Sequence, residues 1–280
     1  ELNFQNTTIT NYSMTKFNST TFNYTLTGLT NNNYTYQVYG NDSVIIGVSQ
    51  ERILFTDQDA PNITFINPTN NTYINSNITL NLTITNNQLD YANYSITNSS
   101  NIQIQSNETN NIAQNSYEFT DLINFSNATF NDDNYTLTVF ANDTFSNSTT
   151  STITIIVDKT KPSLYWKNIS LSTIYNTNNV TFKVNVTDTY LNTSSILLET
   201  NFSGTWQNFT MANENQDTYN FTIIGANNFS NNQTIFYQFY ATDLASNLNQ
   251  TQTFNFSISN RVPYDANITS HTQDQVIELS

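Results

Sequence analysis

Side chains able to perform catalysis or to bind a metal are scarce in this sequence. It has 280 residues but one histidine, His271, and no cysteine. A catalytic metal centre or a nucleophile–base pair requires several such groups together. His271 has no second histidine and no thiol to act with, so we interpret it as a solvated turn residue. The sequence predicts no catalytic residue, no cofactor and no enzymatic activity.

Carboxylates near Pro61 are the best candidates for metal binding. Glu51, Asp57 and Asp59 carry the oxygen ligands that Ca²⁺ prefers, and they lie close together in the sequence. A calcium-binding linker would repeat this pattern at each joint of the chain, whereas the stretch before Pro162 has one aspartate and two lysines. Calcium at the joints is therefore the alternative, and turn-forming aspartates are the preferred interpretation.

Acceptor sites for N-linked glycans are the most abundant candidate sites. The sequence has 51 Asn and 72 Ser plus Thr, from which a random order would give roughly 13 Asn-x-Ser/Thr triplets. It contains 30. Strand alternation accounts for part of the excess, because in NITLNLTIT (77–85) the apolar residues face one way and Asn or Thr the other. The size of the excess nevertheless favours genuine glycosylation, which would place the chain outside the cell. The candidate acceptors are Asn6, Asn23, Asn33, Asn62, Asn77, Asn81, Asn93, Asn134, Asn142, Asn147, Asn168, Asn179, Asn185, Asn208, Asn220, Asn228, Asn249 and Asn255.

Charge and hydropathy exclude several partners. The chain has 7 Lys or Arg against 21 Asp or Glu, for a net charge of −14, and both nucleic acids and anionic membranes require clustered cations. No stretch approaches the length of an apolar membrane span, and residues 1–10 lack the pattern of a signal peptide. The absence of cysteine is typical of a microbial surface or of an intracellular protein. Together with the acceptor sites, it favours an extracellular, cell-surface location.

Alternating apolar and polar residues predict an all-β fold. Segments with a period of two recur along the chain and are rich in Thr, Ile, Val, Tyr and Phe, which suit half-buried strands. Asn, Asp and Ser clusters between them supply the turn chemistry. The predicted strands include TFNYTLTGL (21–29), ITLNLTI (78–84), YTLTVFA (135–141), TITIIV (152–157), VTFKVNVT (180–187) and TFNFSIS (253–259).

A repeat divides the chain into parts. YTLTVFAND (135–143) is similar to YTYQVYGND (34–42) and IFYQFYATD (235–243), and each ends in an aspartate that we expect to cap the following turn. Prolines recur with a similar spacing at the joints: Pro61, Pro162 and Pro263. The repeat predicts four parts, which are the later strands of an incomplete module at 1–58, complete modules at 59–159 and 160–260, and the first strand or strands of a further module at 261–280.

One stretch carries a resemblance to a known family. YTLTGLTNNNYTYQVYG (24–40) resembles the fibronectin type III pattern, in which a Tyr-x-Leu-x-Gly-Leu run precedes the tyrosine that opens the next strand. The resemblance implies that Tyr34 is a tyrosine-corner residue, whose hydroxyl bonds back to the preceding crossover. ATDLASN (241–247) and VDKTKP (157–162) look like stretches of prokaryotic immunoglobulin-like surface modules. Among these, the many acceptor asparagines without cysteine resemble archaeal cell-surface glycoproteins best. The resemblance implies tandem immunoglobulin-like or fibronectin type III-like β-sandwiches in an elongated array.

Two function classes are compatible with such modules. The first is a non-enzymatic, glycosylated structural protein of a cell-surface layer, sheath or filament, which associates with copies of itself or with other envelope proteins. The second is the stalk of a surface adhesin or ligand-binding protein. The fold alone does not choose between them. A self-assembling protein would form sheets or fibres when purified, whereas an adhesin stalk would stay monomeric.

The first 58 residues are expected to be an incomplete sandwich. Matched to 102–159, they contain LNFQ (2–5) and later strands, but no equivalent of the strands at 61–97. Inward-facing residues such as Phe22 and Tyr24 would then be exposed, at a cost on the order of several kcal/mol. We therefore expect strands from elsewhere to complete this module. They would come from upstream sequence of a longer parent chain or from a neighbouring subunit.

Overall fold

The computed structural model describes residues 2–5, 8–127, 129–225 and 228–260, and within this part the protein is all β. It has strands throughout, with one 3-10 helix at Thr193–Ser195. No helix of the described part is long and apolar enough to cross a membrane. By contacts, the chain divides into two units, Glu1–Asp158 and Lys159–Ser280. His271, Asn6 and the predicted part at 261–280 lie outside the described residues.

The described residues of the head segment, 2–5 and 8–58, form one open sheet and a small separate ribbon. Its long strand β5 pairs with β1 on one side and with β6 and β7 on the other, and β2 lies outside β1. Strands β3 and β4 form a separate two-stranded ribbon. The strands are β1 (Leu2–Gln5), β2 (Ile9–Tyr12), β3 (Thr15–Lys16), β4 (Phe22–Asn23), β5 (Asn32–Asn41), β6 (Ile46–Val48) and β7 (Arg52–Thr56).

Residues 62–157 form the first sandwich. One sheet has the order β13-β10-β8, and the other has the order β12-β11-β14-β15-β9, in which β9 runs parallel to β15. The strands are β8 (Asn62–Asn67), β9 (Thr72–Ile74), β10 (Ile78–Thr85), β11 (Leu89–Thr97), β12 (Gln103–Asn110), β13 (Ser116–Ile123), β14 (Asp133–Asp143) and β15 (Ser148–Val157).

The period of two explains why these strands form a sandwich. Along β10, Leu80, Leu82 and Ile84 are fully buried, whereas the residues between them are partly exposed. One core cluster contains side chains from both sheets. Tyr94 of β11, for example, packs edge-on against Phe119 of β13, with ring centroids 5.2 Å apart. Each sheet therefore buries one apolar face against the other.

Residues 163–259 of the other unit form the second sandwich with the same plan. Its sheets have the orders β16-β18-β22-β21 and β17-β25-β23-β19-β20, and β24 pairs with β23. Phe182 of β18 packs against Tyr237 of β23, with centroids 5.0 Å apart. The strands are β16 (Ser163–Ile169), β17 (Ile174–Tyr175), β18 (Val180–Thr187), β19 (Leu197–Thr200), β20 (Gln207–Thr210), β21 (Ala212–Asn215), β22 (Thr218–Ile223), β23 (Thr234–Thr242), β24 (Leu248–Gln250) and β25 (Phe254–Ser259).

The strand order is immunoglobulin-like in both sandwiches. Named as in immunoglobulin domains, one sheet contains strands A, B and E and the other contains C′, C, F and G, with a short strand A′ beside G. The tandem β-sandwich fold predicted from the sequence is confirmed. In the head segment, β2, β1, β5 and β7 occupy the places of C′, C, F and G.

One strand prediction in the head segment is wrong, and the place of another strand differs. LNFQ (2–5) is the predicted strand β1, but it pairs directly with β5 and so takes the place of strand C, whereas its match to 103–106 indicates that of β12. Of TFNYTLTGL (21–29), only Phe22 and Asn23 are in a strand. The repeat matches this stretch to 122–130, of whose described residues only Leu122 and Ile123 are in a strand. The strand β13 pairs with β10 in the first sandwich, and no described strand of the head segment takes the place of β10.

Candidate functional site

Tyr34 lies where the fibronectin-like resemblance places it. The ring is buried, and its hydroxyl donates to the carbonyl of Thr30 at 3.2 Å and accepts from the amide of Thr30 at 3.1 Å. Tyr135 makes the equivalent bond to the carbonyl of Asn131 at 3.1 Å. In the second sandwich this position is Ile235, which is fully buried. The corner is therefore polar in two repeats and apolar in the third.

The aspartate that ends strand F caps the next turn in all three repeats, as predicted. The Oδ1 atom of Asp143 accepts from the amides of Phe145 and Asn147 at 2.8 and 2.9 Å. Asp243 accepts from the amide and the side-chain nitrogen of Asn247 at 2.8 and 2.7 Å. Asp42 binds the amides of its own turn and is exposed. These carboxylates hold turns, which is a structural role.

The carboxylates proposed for calcium near Pro61 have local roles. Asp57 accepts the amide of Asp59 through Oδ1 at 3.0 Å, which closes a short turn. Glu51 and Asp59 are exposed. Asn147 reaches this joint from the first sandwich, because its Nδ2 donates to the carbonyl of Asp57 at 3.0 Å. An amide and a backbone carbonyl are thus in contact at the first joint, and calcium binding by its carboxylates stays a prediction.

The candidate acceptor asparagines lie at the surface. None of the 17 described ones is buried. They alternate with core residues, so that a sugar attached to most of them would extend away from the core. Those that are exposed are Asn23, Asn33, Asn62, Asn77, Asn134, Asn168, Asn179, Asn208, Asn228 and Asn255. Those that are partly buried are Asn81, Asn93, Asn142, Asn147, Asn185, Asn220 and Asn249.

The acceptor asparagines also differ in which side-chain atom, Nδ2 or Oδ1, is hydrogen-bonded. A glycan bonds to Nδ2 and leaves that atom one hydrogen to donate. Asn147 uses Nδ2 twice, for Asp57 and for Asp143, and Asn249 donates from Nδ2 to the carbonyl of Pro162 at 2.8 Å. Asn77, by contrast, is held through Oδ1, which accepts the amide of Ser126 at 3.0 Å. Glycosylation is compatible with the contacts of Asn77 and disrupts those of Asn147.

The contacts of Asn179, like those of Asn77, are compatible with glycosylation. It is exposed, and its Oδ1 accepts the amide of Gly225 at 3.2 Å. Asn185 and Asn220, which the sequence places on outward faces, are partly buried, and Asn220 donates from Nδ2 to Glu214 at 3.3 Å. Alternation in the sequence predicts on which face of a strand an asparagine lies. It does not predict whether the Nδ2 or the Oδ1 of its side chain is hydrogen-bonded.

The head segment contains an apolar groove. It has a volume of about 750 Å³ and is lined by Met14, Phe22, Val38 and Ile45, among others. Phe22 is 54% exposed. In the first sandwich, the inner face of the equivalent sheet is covered by β8, β10 and β13. The groove therefore lies on the side of the head sheet that the missing sheet would cover.

Comparison with known proteins finds similar solved structures but no matching family. No family model matches the sequence, and no curated protein does. The FN1–FN3 domains of chicken CNTN1 are 13% identical over 82% of this chain and 78% of theirs, with a TM-score of 0.37. A tetra-tandem repeat in the extending region of a large adhesion protein is 17% identical over 92% of this chain, also with a TM-score of 0.37. The chain spans 66% of that repeat structure. Likenesses at this level carry no functional argument, so the fold assignment depends on the sheet orders and cores described above.

Proposed function

We propose that this chain is a non-enzymatic, extracellular structural protein, a glycosylated segment of a cell-surface layer, sheath or filament. The observation that carries the proposal is the placement of the acceptor asparagines. About twice the random number of acceptor triplets occurs in the sequence, and none of the described candidates is buried. Sandwiches whose outward faces carry sugars are suited to a surface exposed to the environment.

The remaining chemistry of the chain supports a structural role. The aspartates at the ends of strand F are occupied with turn amides. The tyrosine hydroxyls at the corners are occupied with backbone groups. The few cations leave no basic patch for nucleic acid or an anionic membrane. The resemblance to archaeal surface glycoproteins gives the same expectation for location.

Mass spectrometry of native material tests the glycosylation. The intact mass is expected to exceed the 31.9 kDa of the bare chain. Glycopeptides covering Asn77 and Asn179 should carry sugar, whereas the peptide with Asn147 should not. In the native host, Asn77→Gln should remove the mass of one glycan and Asn147→Gln should remove none. An intact mass equal to the bare chain contradicts the proposal.

Electron microscopy of the purified protein tests the assembly. Sheets or fibres are expected for a layer, sheath or filament subunit. Particles that remain monomeric at all concentrations, with glycans present, would instead favour the adhesin stalk, in which a separate tip does the binding.

A further inference from the structure

Two aromatic side chains lie on the outer face of the first sandwich. On β14, Thr136, Thr138 and Phe140 point outward and alternate with buried residues. On the neighbouring strand β11, the outward Tyr91 packs against Phe140, with ring centroids 6.1 Å apart. The contact between the rings stabilises the sheet by itself. Because both residues are only partly buried, it also leaves an apolar surface facing away from the core.

An acceptor asparagine adjoins both rings. Asn142 follows Phe140 by two residues on the same face of β14, and it pairs directly with Tyr91 across the strands. Side chains directly opposite each other have Cβ atoms about 5 Å apart, and residues two apart on one strand are separated by about 7 Å. The first sugar of a glycan on Asn142 is therefore within reach of both rings.

The surroundings of Asn142 favour it over the other acceptor on this face. Asn93 of β11 lies between Phe140 and Glu108, so that large side chains flank it on both sides. Asn142 has the small Ser148 of β15 on one side, and it is the last outward residue of its strand. The Oδ1 atom of Asn142 is buried, and no described residue donates a hydrogen bond to it. A hydroxyl or amide group of an attached sugar supplies such a donor.

The aromatic residue and the acceptor occur together in the repeats. FANDT (140–144) has its counterpart in YGNDS (39–43), in which a tyrosine precedes the acceptor by the same two residues. In the second sandwich, Thr242 stands in place of the acceptor. The residue beside it across the sheet is Ser195, whose Oγ accepts the amide of Thr242 at 2.9 Å. Where the acceptor is absent, the aromatic residue across from it is absent as well.

We propose that Phe140 and Tyr91 form a platform on which the first sugar of an N-linked glycan at Asn142 packs. The carbon–hydrogen face of a sugar ring is apolar, and it replaces water against the aromatic rings. The hydroxyl of Tyr91 donates to Glu108 at 3.1 Å, which fixes the direction of its ring. This inference rests on the proposed glycosylation and assigns to one of the glycans a contact that stabilises the sandwich.

A double-mutant cycle on protein from the native host tests the contact. Thermal unfolding of the first sandwich is measured for the wild type, Phe140→Thr, Asn142→Gln and the double variant. Threonine is chosen because it already occupies the neighbouring outward positions of β14. Phe140→Thr should lower the Tm by about 4 °C more in the glycosylated protein than in the Asn142→Gln background. Equal losses in the two backgrounds overturn the proposal, since the ring would then act only through its contacts within the protein.

A matched pair of variants separates the ring of Tyr91 from its hydroxyl. Tyr91→Phe keeps the ring and removes the hydrogen bond to Glu108, whereas Tyr91→Thr removes both. Only Tyr91→Thr should show a loss of Tm that depends on the sugar at Asn142. A loss of the same size for Tyr91→Phe would assign the sugar contact to the hydroxyl and overturn the platform.

Glycopeptide mass spectrometry establishes which proposal fails if the cycle shows no coupling. Asn142 should carry sugar in the wild type and in Phe140→Thr, and the unfolding comparison uses molecules that carry it. A bare Asn142 in a wild-type chain that carries sugar at Asn77 refutes this contact and leaves the proposed function standing. A chain without sugar at any site refutes both.

Discussion

The head segment and the first sandwich carry the same strand pattern but differ in what that pattern becomes. Both have a sheet with the places of C′, C, F and G filled. In the first sandwich, β13 forms eight pairs with β10, whereas the stretch 15–22 that the repeat matches to it contributes only to the short strands β3 and β4, which pair with each other. The difference teaches that alternation specifies a face, and that a strand forms only where a neighbour accepts its backbone hydrogen bonds.

The cores of the two regions differ in the same way. In the first sandwich, side chains of both sheets form one buried cluster. In the head segment, the equivalent face is an open groove. Leu2, Phe4 and Tyr34 are buried, but apolar residues of the groove such as Phe22 are exposed and contribute less to stability than those of the closed core.

The largest expected effect is the difference in stability loss between substitutions in the closed core of the first sandwich and in the open groove of the head segment. Leu82→Ala deletes a fully buried side chain of β10 and should lower the free energy of unfolding of the first sandwich by about 2–5 kcal/mol. Phe22→Ala, in the open groove, should change the stability of the monomer by less than about 0.5 kcal/mol. Urea denaturation followed by amide exchange of each region measures both. Equal losses from the two substitutions would contradict the contrast.

Gly225 and Gly40 differ in how much space surrounds the position that a Cβ would occupy. A Cβ at Gly225 would lie 2.0 Å from the carbonyl oxygen of Asn178, whereas nothing lies within 4 Å of a Cβ at Gly40 in the head sheet. Gly225→Ala should therefore cost the second sandwich about 1–3 kcal/mol. Gly40→Ala should be nearly neutral. Thermal unfolding of the two variants decides this, and a neutral Gly225→Ala would show that the close approach is absent in solution.

The turn aspartates provide a smaller contrast. Asp143 is buried and satisfies the part-buried amides of Phe145 and Asn147, so Asp143→Ala leaves these donors without their partner and should cost about 1–3 kcal/mol. Asp42 holds an exposed turn, and Asp42→Ala should cost less. Denaturant midpoints of the two variants, with the exchange of the turn amides, measure the order. The reverse order would refute the assigned roles.

The smallest effect is a pH dependence of the turn in the head segment. Hydrogen bonds from the amides of Ile45 and Val44 lower the pKa of Asp42 below its ordinary value of 3.8. Because the folded pKa is depressed, the stabilisation is present above the ordinary value and is lost as the pH falls through the folded one. An NMR titration should show the amides of Val44 and Ile45 shifting at the pH where the carboxyl titrates. A midpoint at or above 3.8 would contradict this.

The sequence predicted much of the fold because alternation and turn chemistry are local. VTFKVNVT (180–187) is β18 without change, and ITLNLTI (78–84) is one residue short of β10. The turn role of Asp143 could be predicted because its partners follow within four residues.

What the sequence could not provide depends on contacts distant along the chain. The place of Leu2–Gln5 next to β5 is set by pairing with residues 30 to 36 positions away. The use of Nδ2 of Asn147 depends on a carbonyl 90 residues away. The triplet at Asn147 matches the acceptor pattern in sequence. Its Nδ2 is nevertheless hydrogen-bonded to a partner that no local pattern identifies.

Hydrogen exchange with mass spectrometry tests the central claim, that the described head segment forms an open sheet whereas residues 62–157 form a closed sandwich. In a dilute, monomeric chain, the amides of 116–123 should be strongly protected, and those of 24–29 and 52–57 should exchange far faster. Strong protection of 24–29 and 52–57 in the dilute monomer, equal to that of 116–123, would contradict the account.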